Sequence, residues 1–132
     1  MNYQLHDSQI NKVELGANAI IFKFSQGFWR TNEQGKMVEQ LKNCEIVFEL
    51  DGSDIPIEDL ITIRISKKRG VYKTISLEKF KGLLKKSPVD VCLEYNCDFA
   101  SSKMLQVHSN YLRAEIFIED IKNVKYVHEI CR

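Results

Sequence analysis

The sequence lacks any long run of apolar residues. Its longest apolar stretches are only a few residues, as at 19–22, whereas a membrane-spanning helix needs about 20. The first residues, MNYQLHDSQ, have neither the basic start nor the apolar segment of a secretory signal peptide. These absences predict a soluble, cytoplasmic protein with no membrane association.

A catalytic or metal-binding signature is also missing. The four cysteines include neither a CxxC redox pair nor the close pair that a structural zinc site usually contains: Cys44, Cys92, Cys97 and Cys131. No Gly-x-Ser-x-Gly elbow is present, and the acidic loop at 51–59 lacks the ligand order of an EF-hand. The adjacent His6, Asp7 and Ser8 are more simply explained as residues that bond the backbone near the first strand. We therefore expect no enzymatic activity, no metal and no cofactor.

What the sequence does contain is a repeated alternation of apolar and polar residues. Such a period of two is typical of strands with one buried face. The rows are Ile20, Phe22 and Phe24; Cys44, Ile46, Phe48 and Leu50; Ile61, Ile63 and Ile65; and Leu112, Ala114, Ile116 and Ile118. Turn-forming residues separate them, among them the stretches 32–35, 67–70 and 109–110.

One segment has the period of a helix. Leu77, Phe80, Leu83 and Leu84 fall on one face, Ser76 is a suitable N-cap, and Pro88 ends the pattern. A second helix at 31–42 is an open alternative, although Gly35 favours a strand there. The sequence therefore predicts a single domain, 1–132, that is mainly β (α+β). We expect an antiparallel meander of about eight or nine strands, closed as a barrel or curved sheet, with one amphipathic helix near 76–86.

The charges are strongly segregated along the chain. Residues 64–86 contain nine Lys or Arg and one acid, which gives this basic segment a net charge of +8 within a chain of net charge +1. Residues 39–59 contain seven acids and one Lys. Segregation of this kind indicates how a surface meets a charged partner, without identifying that partner.

The candidate contact residues follow from this segment. Lys67, Lys68 and Arg69 are predicted on a hairpin turn, and Lys81 and Lys85 lie one turn apart on the helix. The alternative is a solvated helix face with a charged turn that blocks edge-to-edge pairing, or a surface neutralised by the 51–59 loop. Outside the segment, Trp29 follows Phe28, and one of the two faces outward in a regular strand, where an exposed Trp can anchor a partner.

The opening YQLHDSQINKVEL, the stretch AIIFKFSQGFW and the later CEIVFEL resemble a group of small bacterial β-rich proteins that begin with a Leu-His-Asp-Ser motif. Some of those proteins are predicted immunity proteins of toxin systems. The resemblance covers about the first 50 residues. It implies a small cytoplasmic binding protein and carries over no catalytic residue.

Three functions remain open on these grounds. The leading hypothesis is a non-enzymatic cytoplasmic protein that engages a protein partner through a charged surface, with an immunity-like protein as its more particular form. The second is weak binding of nucleic acid or a phosphorylated ligand through the basic hairpin and helix. The third is a barrel that holds a small apolar ligand among Phe22, Phe24, Phe48 and Ile63.

Overall fold

Thirteen β-strands and one α-helix form most of the part of the chain that the computed structural model describes, residues 2–51, 55–68, 70–97 and 101–128. The strands are β1 (Asn2–Gln4), β2 (Gln9–Ile10), β3 (Lys12–Gly16), β4 (Ala19–Phe24), β5 (Trp29–Thr31), β6 (Met37–Gln40), β7 (Cys44–Leu50), β8 (Ile61–Lys68), β9 (Val71–Ile75), β10 (Val89–Cys97), β11 (Ser102–His108), β12 (Arg113–Ile118) and β13 (Ile121–Val127). Helix α1 spans Leu77–Lys86, and a 3-10 helix spans Ile57–Leu60.

The strands form three antiparallel sheets. A small sheet has the order β1-β5-β6, a six-stranded sheet the order β2-β10-β11-β12-β8-β9, and a four-stranded sheet the order β13-β7-β4-β3. Hairpins between consecutive strands supply part of this pairing, as in β10-β11-β12. Other neighbours are distant in sequence, as in β12 with β8 and β13 with β7.

The inner faces of the sheets share one apolar core. The apolar residues that alternate in the sequence are the ones that are buried. Ile20, Phe22 and Phe24 of β4 are inaccessible to solvent, while the residues between them are partly exposed. Strands β7, β8 and β12 bury their alternating apolar residues in the same way. Burying one face of each sheet is the dominant favourable contribution to the fold.

Helix α1 confirms the prediction for 76–86. The side chain of Ser76 accepts a hydrogen bond from the backbone N–H of Lys79 at 3.1 Å, which satisfies a donor that the first turn leaves open. Leu77, Phe80 and Leu84 are buried. The helix contacts β3 of the four-stranded sheet and β8 of the six-stranded sheet. It therefore covers the apolar edge where these two sheets meet.

The mainly β prediction with one helix is confirmed, but its details need correction. The described part of the chain contains thirteen strands rather than eight or nine, because several predicted strands are divided. The stretch that follows Gly35 is divided into β6 and β7, and Asn43, which has a positive φ of 50°, lies between them. The 31–42 region contains strand and turn rather than a helix, as Gly35 indicated.

No closed barrel is found in the described part of the chain, because each sheet there has two open edges, which is consistent with the curved-sheet form of the prediction. A simple meander is also insufficient, since strands far apart in sequence pair with one another. Phe22 and Phe48 pack edge to face at a centroid distance of 5.6 Å, and Phe24 and Ile63 are buried in the same core. The apolar-ligand hypothesis therefore loses the barrel on which it depended.

Candidate functional site

The basic segment lies at one edge of the six-stranded sheet. It begins in β8, returns along the edge strand β9 and continues directly into α1. All the described residues of β9 are exposed or partly exposed. A groove remains between the edge strand β9 and helix α1 where the helix does not extend over the edge of the sheet.

A cleft of about 290 Å³ occupies this groove, and we call it the lysine cleft. Its lining combines three cations with three aliphatic residues: Lys67, Lys73, Lys79, Ile65, Val71 and Ile75. Val71 is 63% exposed, although it is aliphatic. The cleft therefore offers an apolar surface bordered by ammonium groups, and no acid is among the described residues that line it.

The strand register explains why Lys73 lies in this cleft. Lys73 is opposite Ile65 in the antiparallel pair of β8 and β9, and residues opposite each other lie on the same face of a sheet. Ile65 is buried on the side of the sheet that faces the core. Val71 and Ile75 are each two residues from Lys73 and so share its face.

Lys79 occupies a helix position that disfavours a cation. It lies in the first turn of α1, since its N–H is the one capped by Ser76. The positive end of the helix dipole disfavours a cation there by about 0.3–1 kcal/mol. Helix stability therefore gives no reason for a lysine at this position.

The cleft lysines are not neutralised within the described part of the chain. Ion pairs of the basic segment there join Arg64 to Glu115 at 3.8 Å and Lys81 to Glu78 at 3.6 Å. Among the described residues of the 51–59 loop, no acid forms an ion pair with the segment. The predicted neutralisation by that loop is thus not found in residues 51 and 55–59.

The opposite arrangement is seen on the four-stranded sheet. Glu14 binds Lys12 at 2.9 Å and Lys23 at 3.2 Å, and Lys23 also approaches Glu45. Hydrogen bonding from Lys12, and then from Lys23, holds the pKa of the Glu14 carboxyl below its ordinary value. Cations outside the basic segment are thus paired across strands in several places, whereas the three cations of the lysine cleft form no ion pair with a described acid.

Of the predicted contact residues whose side chains the structure describes, one lies in the lysine cleft. Lys67 lines it, at the end of β8. Lys68 is also in β8, opposite Val71, so the turn is tighter than predicted; its side chain and the whole of Arg69 lie outside the described residues. Lys81 and Lys85 are on α1 but do not line the cleft. Lys81 is bound to Glu78, and Lys85 is exposed.

Trp29 is in β5 of the small sheet, away from the cleft lining, and is half-buried between Gln4 and Gln40. Its neighbour Phe28 is fully buried and packs against Tyr3, Phe24 and Tyr126. Phe28 is therefore covered, and Trp29 is only partly exposed. A role for Trp29 in binding a partner stays a prediction.

The sequence reasoning did not select Lys73 or Lys79 as contact residues. Lys79 is one of several lysines on the helix, and nothing in the sequence distinguishes it from the others. Lys73 lies in a strand that has no distinctive sequence feature. The period of two does place Val71, Lys73 and Ile75 on one face. This alternation identifies Val71 and Ile75 as the apolar border of the cleft only if the register between β8 and β9 is known.

Other candidate chemistry is weak in the structure. His6 and Asp7 approach each other at 3.1 Å, but both side chains are exposed. Ser8 is buried and its backbone N–H donates to the carbonyl of Leu5 at 2.8 Å, as expected for a turn. Within residues 2–51, 55–68, 70–97 and 101–128, no three His, Cys, Asp or Glu side chains cluster in a way that holds a metal ion.

Comparisons with protein-family models, with curated proteins and with solved structures give no match to this chain. The resemblance to immunity proteins therefore stays a prediction. None of the helices in the described ranges combines the length and the apolar character that crossing a bilayer requires.

Proposed function

We propose that this protein is a non-enzymatic binding protein that engages an acidic protein partner through the lysine cleft. The observation that carries the proposal is the placement of Lys67, Lys73 and Lys79 around an apolar cleft, with no ion pair between them and a described acid. Three like charges held together repel one another when no anion is present. A carboxylate that enters the cleft offsets this repulsion. An apolar side chain of the partner also favours binding, because it is removed from water when it packs on the aliphatic residues of the cleft.

The size and the lining of the lysine cleft determine which kind of partner segment fits. A volume of about 290 Å³ accommodates one or two side chains rather than a whole helix or a large cofactor. The expected occupant is therefore a partner segment that carries an aliphatic or aromatic side chain between acids. The positive field of the basic segment would also speed the encounter with such a surface at low salt.

The more particular form of the proposal is that the partner is a toxin and that the protein is its cytoplasmic immunity protein. Its support is the resemblance of the opening 50 residues, together with a surface suited to binding rather than to chemistry. The wider proposal does not depend on this form.

A pair of synthetic peptides tests the cleft itself. One peptide has a Leu flanked by Glu residues, and its control has Gln at each Glu position. Fluorescence anisotropy should show binding of the acidic peptide only. Lys73→Glu with Lys79→Glu should weaken that binding by about tenfold or more. Equal binding of both peptides, or of neither, would overturn the proposal.

The matched control is Lys36→Glu with Lys42→Glu, which changes the net charge by the same amount at two exposed positions outside the cleft. This control variant should bind nearly as the parent does. A loss as large as that of the cleft variant would mean that overall charge, not the cleft, determines binding.

Neighbouring genes test the immunity-like form. Each purified product of a gene beside this one is mixed with the parent and with the cleft variant. A complex that forms with the parent and weakens with the cleft variant is expected. If none of these products binds while the acidic peptide does, the immunity-like form fails and the wider proposal stands.

A further inference from the structure

A larger cleft, of about 550 Å³, lies at one end of the six-stranded sheet. The turn between β8 and β9 borders one side of it, and the turn at 109–112 between β11 and β12 borders the other. Because Tyr72 and Tyr111 line it, we call it the tyrosine cleft. Lys67 lines both clefts, whereas Lys73 and Lys79 do not line this one.

The register of the sheet builds the cationic side of the tyrosine cleft. His108 is opposite Arg113, and Arg113 is opposite Ser66 in the next strand. These three residues therefore form a row across β11, β12 and β8, and all three line the cleft. Arg113 is exposed and has no ion pair with a described acid. Among the described residues of the lining there is no Asp or Glu, and the nearest acid along the row is Asp90 of β10, which is opposite His108.

The aromatic side comes from two separate hairpins. Tyr72 belongs to β9 and is 37% exposed, with the guanidinium carbon of Arg64 at 5.6 Å from its ring centroid. Tyr111 belongs to the facing turn and is 77% exposed. That turn is fixed by two hydrogen bonds of Ser109: its N–H donates to the carbonyl of Leu112 at 2.9 Å, and its hydroxyl accepts from the N–H of Tyr111 at 3.2 Å.

An exposed tyrosine on a turn that is otherwise well ordered leaves its apolar ring in water. The cleft continues onto the open face of the sheet through an adjoining depression that shares Tyr72, His108 and Arg113 and reaches Gln106 and Cys92. The two together provide an elongated site, with a cation at its centre and aromatic rings at its border.

We propose that the tyrosine cleft binds a nucleotide unit. A guanidinium fork matches the geometry of a phosphate, and Arg113 is the unpaired guanidinium that the row places in the cleft. The exposed ring of Tyr111 offers stacking to a planar base, which is worth about 1–3 kcal/mol per base in single-strand binders, and Tyr72, whose ring Arg64 already approaches, adds apolar contact at the border of the cleft. A cleft of this volume is in the usual range for a small-molecule site.

The tyrosine cleft contains an aromatic residue that the basic segment itself lacks. Within the basic segment, the available aromatics are Tyr72 and Phe80, and Phe80 is buried in the core. The structure adds Tyr111 and Arg113 from a hairpin about 40 residues later in the chain. The proposed ligand is thus held by residues outside the predicted set, except for Lys67.

The test is a titration followed by NMR chemical shifts, with AMP, adenosine and inorganic phosphate as probes. AMP should bind about tenfold more tightly than either adenosine or phosphate, because only AMP engages both the rings and the guanidinium. Arg113→Gln should weaken AMP by about tenfold and leave adenosine unchanged. Tyr111→Ala should weaken AMP and adenosine and leave phosphate unchanged.

Lys36→Gln, at an exposed position outside the cleft, is the control and should bind AMP as the parent does. A short deoxythymidine oligonucleotide forms the second arm. If it binds through the same residues and more tightly than AMP, the nucleotide unit belongs to a single strand rather than to a free ligand.

The proposal is overturned if neither AMP nor the oligonucleotide shifts resonances of the cleft, if phosphate binds as tightly as AMP, or if Arg113→Gln has no effect. Its test is independent of the acidic-partner proposal, because Arg113 and Tyr111 do not line the lysine cleft, and Lys73 and Lys79 do not line the tyrosine cleft.

Discussion

The Nζ atom of Lys103 lies 2.9 Å from Oε2 of Glu94, and together they form an ion pair on the inner side of the six-stranded sheet. Lys103 is 7% exposed, and its Nζ is 5.9 Å from the ring centroid of Phe48 in the four-stranded sheet. Glu94 also accepts a hydrogen bond from the N–H of Leu5 at 3.3 Å. The pair therefore connects β10 and β11 with the four-stranded sheet and with the start of the chain.

A β-bulge in β10 places Glu94 there. The register shifts between Val91 and Leu93, so that Glu94 stands opposite the buried Leu105. Without that extra residue, the alternation of β10 would bring Leu93 to the inner face and Glu94 to solvent. The bulge thus turns an acid toward the one buried lysine among the described residues.

Removing one member of this pair should destabilise the fold. Lys103→Met leaves the Glu94 carboxylate partly buried without its cation, and we expect a loss of about 2–4 kcal/mol in the free energy of unfolding. The double variant with Glu94→Gln should recover part of that loss. Urea unfolding measures both values, and Lys12→Met in an exposed pair should cost less than about 1 kcal/mol. Strictly additive losses in the double variant would contradict this account.

Gly27 should not tolerate a side chain. Its φ is +76°, and a Cβ there would stand 1.6 Å from the carbonyl oxygen of Leu41, so the backbone must move. We expect Gly27→Ala to cost about 3 kcal/mol or more. Gly35 is the matched control, because its φ is +77° but no atom lies within 4 Å of its Cβ position. Gly35→Ala should therefore cost only about 1–2 kcal/mol. Similar losses in thermal unfolding would show that the contact with Leu41 is not the cause.

Tyr126 should make the fold sensitive to alkali. Burial raises the pKa of its hydroxyl above the ordinary value of 10.0, and its ring stacks on Tyr3 at a centroid distance of 4.4 Å. Since the folded state favours the protonated form, this stability is fully present below about pH 10 and is lost as the pH rises through the raised pKa.

The measurement is the melting temperature between about pH 8 and pH 11. Tyr126→Phe should show a smaller fall than the parent over that window. Tyr111→Phe, altered at a ring that is 77% exposed, should fall as the parent does. If Tyr126→Phe and the parent fall equally, the hydroxyl of Tyr126 does not contribute.

The sequence predicts individual elements of this fold better than their arrangement. The strands with strict alternation, such as β4 and β7, are found where Phe22 and Phe48 indicate them, because burial of one face determines which residues alternate. Helix α1 was predictable from the Ser76 cap and the spacing of Leu77, Phe80 and Leu84. Both signals are local.

The pairing of strands was not predictable by the same means. Arg113 is beside Ser66, and Glu94 faces inward, only because of long-range register and a bulge. Nothing local in the sequence specifies either. The segregation of charge therefore indicates the basic segment and, within it, Lys67 of the lysine cleft. It does not distinguish Lys73 as a cleft residue, and it does not predict the tyrosine cleft.

The salt dependence of acidic-peptide binding tests the central claim most directly. The affinity of the parent for the Leu peptide flanked by Glu is measured by anisotropy between about 50 and 200 mM salt, beside Lys73→Glu with Lys79→Glu. The account predicts that the parent loses affinity as salt rises, and that the cleft variant starts weaker and changes little. Parent and cleft variant curves that coincide at every salt concentration would contradict it.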